Sequence, residues 1–123
     1  MSEERLFTID EANAELGELR ARLPRLRQAR QRMIDTSERI TSAVDVDGGG
    51  VEGSDWFRAH ETLKAELVWL ADSGILIRDP ETGLVDFPAE RYGQRVLLCW
   101  RLGEDRVGWY HDEETGFSGR QPL

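Results

Sequence analysis

Apolar residues recur every seven positions through the first part of the chain: Ala12, Leu19, Leu26, Met33 and Ile40. Leu16, Leu23 and Val44 follow a companion register, which Arg30 and Ser37 interrupt. This spacing predicts a helix with a narrow, coiled-coil-like seam. Its start is written in Thr8-Ile9-Asp10-Glu11. Thr8 is the predicted N-cap, Glu11 completes a capping box, and Phe7 staples onto Ala12. Pro24 removes a backbone donor and pushes Leu23 away from helical angles. Residues 25–44 and a second helix over 54–73 would each be about 30 Å long, so they match as an antiparallel hairpin. Residues 9–23 then form a separate or kinked arm. Deleting 1–23 is expected to leave the rest folded and to change the oligomeric state. Arg30, at a seam position, is expected to meet Glu66 or stack on Trp69.

The second helix has Ser54 as predicted N-cap, the stripe Trp56, Leu63, Leu67 and Leu70, and Gly74 just past its end. His60 sits in that stripe as a core hydrogen-bonding residue. The connector, 45–53, contains three consecutive glycines and is expected to be mobile. It opens like a calcium loop, but position twelve from Asp45 is Trp56, not the required Glu, so an EF-hand is excluded. A phosphate cradle is disfavoured because no Lys or Arg follows closely and acids sit in the loop.

The pattern then changes to short runs with turn chemistry between them. Ile75–Arg78 and Leu84–Phe87 flank Asp79-Pro80-Glu81-Thr82-Gly83. After a looser stretch over 88–94, Arg95–Leu102 and Arg106–Asp112 flank Gly103-Glu104-Asp105. Helices first and strands second read as one α+β domain over 1–123. A helical arm and an antiparallel helix hairpin pack on a C-terminal antiparallel β-meander of about four strands. An ordered tail spans 113–123. Strand alternation groups Ile75, Ile77, Val85 and Phe87, with Leu76, Arg78, Leu84 and Asp86 behind them. A tight second turn groups Val96, Leu98, Trp100, Val107, Trp109 and His111 on the helix side. Leu97, Cys99, Arg101, Tyr110 and Asp112 then share the other face.

Charge narrows the functional classes. The 123 residues carry 24 acids and 16 bases, a net charge of −8. That disfavours nucleic acid as a partner. Residues 20–32 hold six arginines and no acid. They offer a contact for RNA or an acidic partner; their plainer role is to flank the helical seam and pair with acids on a neighbouring helix or subunit. The lone cysteine, Cys99, excludes an internal disulfide and multi-cysteine metal motifs. No apolar run reaches the roughly 18 residues of a membrane span, and the acidic start is not a signal peptide. These features point to a cytoplasmic protein without a membrane role.

Cys99 and His111 invite a thiol nucleophile with its base, but the expected parity puts them on opposite faces. Candidate ligand-binding residues are Asp86, Cys99, Arg101, Tyr110 and Arg120. Candidate ligands for a divalent metal, the one cofactor suggested, are His111, Glu104 and Glu113. Asp86 lies diagonal to Arg78 and can pair with it. Phe117 can anchor the tail and leave Arg120 free to bind an anion or cap a helix. The words Leu6-Phe7-Thr8-Ile9-Asp10-Glu11-Ala12-Asn13, Gly83-Leu84-Val85-Asp86-Phe87-Pro88, Cys99-Trp100-Arg101-Leu102-Gly103-Glu104, Trp109-Tyr110-His111 and Gly116-Phe117-Ser118-Gly119-Arg120-Gln121-Pro122 resemble a small bacterial family, domain of unknown function 2203. The resemblance spans essentially the whole chain and implies that the Cys99–Pro122 block is the family's signature. It carries no catalytic residue. The primary expectation is a non-enzymatic interaction or adaptor module that forms a homo-oligomer, or binds a protein partner, through its helical arm. The alternative is a small-ligand or metal-binding protein, possibly an enzyme, with its site near the C-terminal hairpin and tail.

Overall fold

A computed structural model of the chain describes residues 3–44 and 51–123. Helix α1, Ile9–Ala14, starts as the sequence predicts. The Thr8 hydroxyl accepts from the Glu11 amide at 3.0 Å, and the Glu11 carboxylate accepts from the Thr8 amide at 2.9 Å. The helical break falls at Glu15 rather than at Pro24, and α2, Leu16–Val44, runs through the proline. Pro24 forfeits one ladder bond. Leu23 and Leu26 on either side of it are buried in the core, which holds the backbone helical.

The arm is therefore not a separate unit. Ala12, Leu16, Leu19, Leu23 and Leu26 share one buried cluster with Val85, Phe87, Ala89, Val96, Leu98 and Trp100 of the sheet. Phe7 belongs to the same cluster, edge-on to Phe87 at 5.1 Å, and its amide donates to the Pro88 carbonyl at 2.7 Å.

Helix α3, Val51–Ser73, begins three residues before its predicted cap, so Gly53 and Ser54 lie inside it. The rest of the glycine connector, 45–50, is outside the described residues. α3 packs along α2, but not in the register of a symmetric hairpin. Glu66 is held by Arg22 at 3.1 Å and Arg25 at 3.9 Å, and the Arg22 guanidinium lies 4.5 Å over Trp69. The partners expected for Arg30 thus belong to Arg22. Arg30 instead reaches Glu81 at 3.5 Å, beside Arg27 at 3.3 Å. The sheet sets this register: Leu70 must enter the core that Leu23 and Leu26 also enter, and Leu63 packs against it. Of the six clustered arginines, Arg20 donates to the Asp105 carbonyl and Arg22, Arg25, Arg27 and Arg30 pair with acids, as expected of a flanking role. The core hydrogen bond expected of His60 is not made at Nδ1, which is buried without a hydrogen-bond partner, 3.7 Å from a Glu61 oxygen; the ring stacks on Trp56 at 5.2 Å.

The sheet has five antiparallel strands in chain order: β1 Leu76–Asp79, β2 Leu84–Arg91, β3 Gln94–Arg101, β4 Trp109–His111 and β5 Gln121–Pro122. The fifth comes from the tail. The first hairpin keeps its expected register, Ile77 opposite Val85 and Leu76 opposite Asp86, with an irregularity before Asp79 pairs with Leu84. Its turn is held by the Asp79 carboxylate, which accepts from the Glu81 amide at 3.0 Å and the Thr82 hydroxyl at 2.9 Å. Gly83 closes it at φ +74, and a Cβ there would sit 2.7 Å from that of Leu102.

The stretch 88–94 is not loose. β2 and β3 run unbroken to a two-residue turn at Tyr92 (φ 54) and Gly93 (φ 77). Both residues take left-handed angles, the geometry that matches strand twist and favours Asn-Gly. Tyr92 is 90% exposed and bears this strain with little burial in return. Tyr92→Asn is expected to raise stability by about 0.5–1 kcal/mol, since a non-glycine, non-Asn residue pays about 1 kcal/mol or more there. A urea melt that shows no gain would contradict it.

The second hairpin departs from expectation by one residue. Leu97 lies opposite His111, Leu98 opposite Tyr110 and Cys99 opposite Trp109. Residues 102–108 form an irregular loop rather than a tight turn, and a one-residue slip moves every side chain of β4 to the other face. The loop is shaped by contacts outside the β3–β4 ladder. Asn13 on α1 accepts from the Val107 amide at 2.8 Å, Val107 is buried in the core, and Trp100 Nε1 donates to the Glu104 carbonyl at 3.1 Å. Tyr110 consequently joins the helix side, and Trp109 and His111 join Cys99.

Candidate metal centre

The face away from the helices carries Asp86, Pro88, Leu97, Cys99, Trp109 and His111. It is not solvated. The segment 112–120, between β4 and β5, folds back over it, and Asp86, Cys99 and His111 are all buried. Register places Asp86 beside Cys99 across β2–β3, and Leu97 beside His111 across β3–β4. One ligand-type atom of each of Asp86, Cys99 and His111 lies within 4.8 Å of the others.

Each member is oriented by a further partner. The Asp86 Oδ2 accepts from Arg78 Nε at 2.8 Å, and Oδ1 faces His111 Nε2 at 3.0 Å. His111 Nδ1 faces the Asp112 carbonyl at 2.6 Å. The Cys99 sulfur lies 3.9 Å from Arg120 Nη1. A neutral imidazole carries one N–H, yet both ring nitrogens meet acceptors. If Nδ1 donates to the carbonyl, Nε2 turns a lone pair toward a carboxylate.

The arrangement is not a thiol relay. In a nucleophile–base–carboxylate triad the nucleophile and the carboxylate occupy opposite ring nitrogens. Here a backbone carbonyl takes Nδ1, and Asp86 takes Nε2. Burial, with the Asp86 charge adding to it, pushes the Cys99 thiol up to about 11, which leaves little thiolate at neutral pH.

A cleft of about 220 Å³ opens onto the cluster, lined by Arg78, Leu84, Asp86, His111, Glu113, Gly116 and Phe117. Cys99 lies behind it. Glu113 stands at the rim, paired with Arg95 and 3.8 Å from Arg78. Glu104 is not at His111. It takes Arg120 in a bidentate pair at 3.1 and 2.7 Å and accepts from the Arg101 amide at 2.8 Å. Arg120 is not free either, since its guanidinium lies 4.3 Å over Phe117 and 4.6 Å over Trp109. Tyr110 is on the opposite face, donating to Gln121 at 3.1 Å. The Arg101 side chain is exposed, with its guanidinium 5.1 Å over Phe117.

The structure thus brings Asp86, Cys99 and His111 together, sets Arg120 against Cys99 and Glu113 at the mouth, and leaves Arg101, Tyr110 and Glu104 out. Arg78, a salt-bridge partner on sequence grounds, becomes part of the site. The Trp109–Phe117 cage was hidden by the assumed parity of β4.

The class these features define is an α+β protein whose small sheet covers a buried Asp-Cys-His cluster on its far side. The chain belongs to the family described as Uncharacterized conserved protein (DUF2203), whose model matches residues 5–123. No curated protein and no solved structure matches it. Among the described residues, no helix is long and apolar enough to cross a membrane.

Proposed function

We propose that this protein binds a divalent transition-metal ion of the zinc class at Asp86, Cys99 and His111. The observation that carries the reading is the pair of acceptors at the two His111 nitrogens. With Nδ1 donating to the carbonyl, a cation between Nε2 and Asp86 Oδ1 makes two ligand bonds where a second ring proton would make one hydrogen bond. A cysteine that the bound ion itself deprotonates, an imidazole and a carboxylate suit a borderline ion such as zinc. Nitrogen and oxygen ligands at about 2.0 Å around a tetrahedral ion stand about 3.3 Å apart. The 3.0 Å between Nε2 and Oδ1 needs to open by only a few tenths of an ångström. The outer partners fit as well: a carbonyl on Nδ1 and Arg78 on the second carboxylate oxygen fix the ligand atoms, as in established metal sites. Three protein ligands leave a fourth position on the cleft side for water or a small ligand.

Cobalt is the probe. Titration of the metal-stripped protein with Co²⁺ is expected to give the visible bands of a tetrahedral ion and a thiolate charge-transfer band, saturating at one equivalent. Cys99→Ser is expected to abolish the charge-transfer band, and His111→Gln to weaken binding at least tenfold. Spectra unchanged from free Co²⁺, with no zinc retained after dialysis, would show an Asp86–His111 ion pair only and overturn the proposal.

A second reading, a self-associating interaction module, draws support from a different surface, the outer side of α3. Phe57, Leu67 and Val68 are exposed there.

A further inference from the structure

The outer side of α3 carries a heptad seam that the fold does not use. Ser54, Phe57, Glu61, Lys64, Val68 and Ala71 alternate at spacings of three and four, so they form one stripe. Phe57 is 59% exposed and Val68 49%, high values for large apolar side chains. A groove begins within a turn of Phe57 and extends past Val68, three turns along or about 16 Å at 1.5 Å per residue. It has a volume of about 320 Å³ and is walled by His60, Leu63, Lys64, Leu67, Val68 and Ala71. A protruding aromatic ring and a mainly apolar groove on one helix make a surface complementary to itself.

We infer that α3 pairs antiparallel with α3 of a second copy of this chain, about a two-fold axis between Thr62 and Leu63. That axis places Phe57 against Val68 of the other copy, at the groove, and does so twice. It also places Glu61 against Lys64 of the other copy, again twice, so the charges at the centre of the seam are complementary. Ser54 and Ala71, both small, face each other at the ends and let the helices approach. Moving the axis by one seam step sets Lys64 against Lys64 or Glu61 against Glu61, so charge selects this register. Within its own chain Lys64 has no acid partner among the described residues, and Glu61 has only His60, at 3.7 Å. This rests on the interaction-module reading and is independent of the metal centre. It places association on α3, because the seam of the arm is consumed in the core.

Sedimentation velocity on the full chain tests it, from about 1 to about 200 µM, where an interface at the small end of the stable range associates. Wild type is expected to pass from monomer to dimer across that range. Phe57→Ser is expected to weaken the dimer at least tenfold with an unchanged melting temperature, since the ring is outside the core. Glu61→Lys and Lys64→Glu are each expected to weaken it similarly by setting like charges together. The double variant E61K, K64E is expected to restore it. A wild type that stays monomeric throughout would overturn self-association and leave the face to a different partner. A dimer indifferent to Phe57→Ser, or a double variant no better than the singles, would overturn the α3 register and leave self-association standing.

Discussion

Removal of residues 1–23 is expected to abolish cooperative unfolding. The deleted segment contains Phe7, Ala12, Leu16, Leu19 and Leu23, all buried in the cluster that covers the helix side of the sheet. Truncating a single buried leucine to alanine costs about 2–5 kcal/mol, and the whole stability of a domain is about 5–15 kcal/mol. Three leucines and a phenylalanine exceed that. Their loss also opens Val85, Phe87 and Trp100 to water. The truncated chain should show a broad, non-sigmoidal urea response and little near-ultraviolet circular dichroism. Leu19→Ala in the full chain should remain folded, with a midpoint lowered in proportion to about 2–5 kcal/mol. A steep transition in the truncated protein would show that hairpin and sheet stand without the arm.

Arg120→Met is expected to destabilise the protein by about 3 kcal/mol at neutral pH, as breaking a mostly buried ion pair does. The guanidinium has side-chain exposure of 14%, and its partner Glu104 of 20%. It joins three parts of the chain: Glu104 in the loop after β3, Trp109 on β4, and Phe117 in the segment that covers the far face. Methionine keeps the apolar stem but leaves a carboxylate half-buried with only the Arg101 amide as donor. Acid provides a signature that loss of packing does not share. Burial alone would push the Glu104 carboxyl up, but the hydrogen bonds from Arg120 and the Arg101 amide outweigh it and hold the group below its ordinary 4.5. A depressed folded-state value stabilises above 4.5 and ceases to do so as pH falls through the lower value. The gap between wild type and variant should therefore be widest near pH 7 and narrow as pH falls below 4.5. Guanidinium melts at both pH values measure it; a gap independent of pH would assign the loss to packing alone.

What could be read in the sequence was what short-range chemistry decides. The capping box at Thr8 and Glu11 is a matter of four residues. The first hairpin followed from turn chemistry at Asp79 and Gly83, and its face assignment followed from the turn. Two longer-range decisions were not legible. Pro24 argues locally for a break, and the burial of Leu23 and Leu26 on the sheet overrides it. The parity of β4 depends on how residues 102–108 are threaded, which Asn13 on a distant helix and the Trp100 indole help decide. That single residue of slip separates a histidine on the helix side of the sheet from one facing Asp86 and Cys99. Asp86, Cys99 and His111, each a candidate by residue type, do lie together, while the parity that set Cys99 and His111 apart does not hold. Glu104 and Arg120 are both polar residues in a signature block, but their roles come from each other.

The contact between Asn13 and the Val107 amide joins residues 94 apart in the chain, and the bond between Glu4 and Arg95 joins residues 91 apart. Contacts of that span set the tempo of folding. The meander and the helix pair each close through near neighbours and can form transiently within microseconds. Neither completes its apolar surface until the first residues return to the sheet, so the loop-closure entropy of most of the chain must be met before the core is complete. A chain still emerging from the ribosome holds its first helix without the strands that helix is meant to cover. Its apolar stripe then waits, uncovered, until the strands that carry Val85, Phe87 and Trp100 have been made.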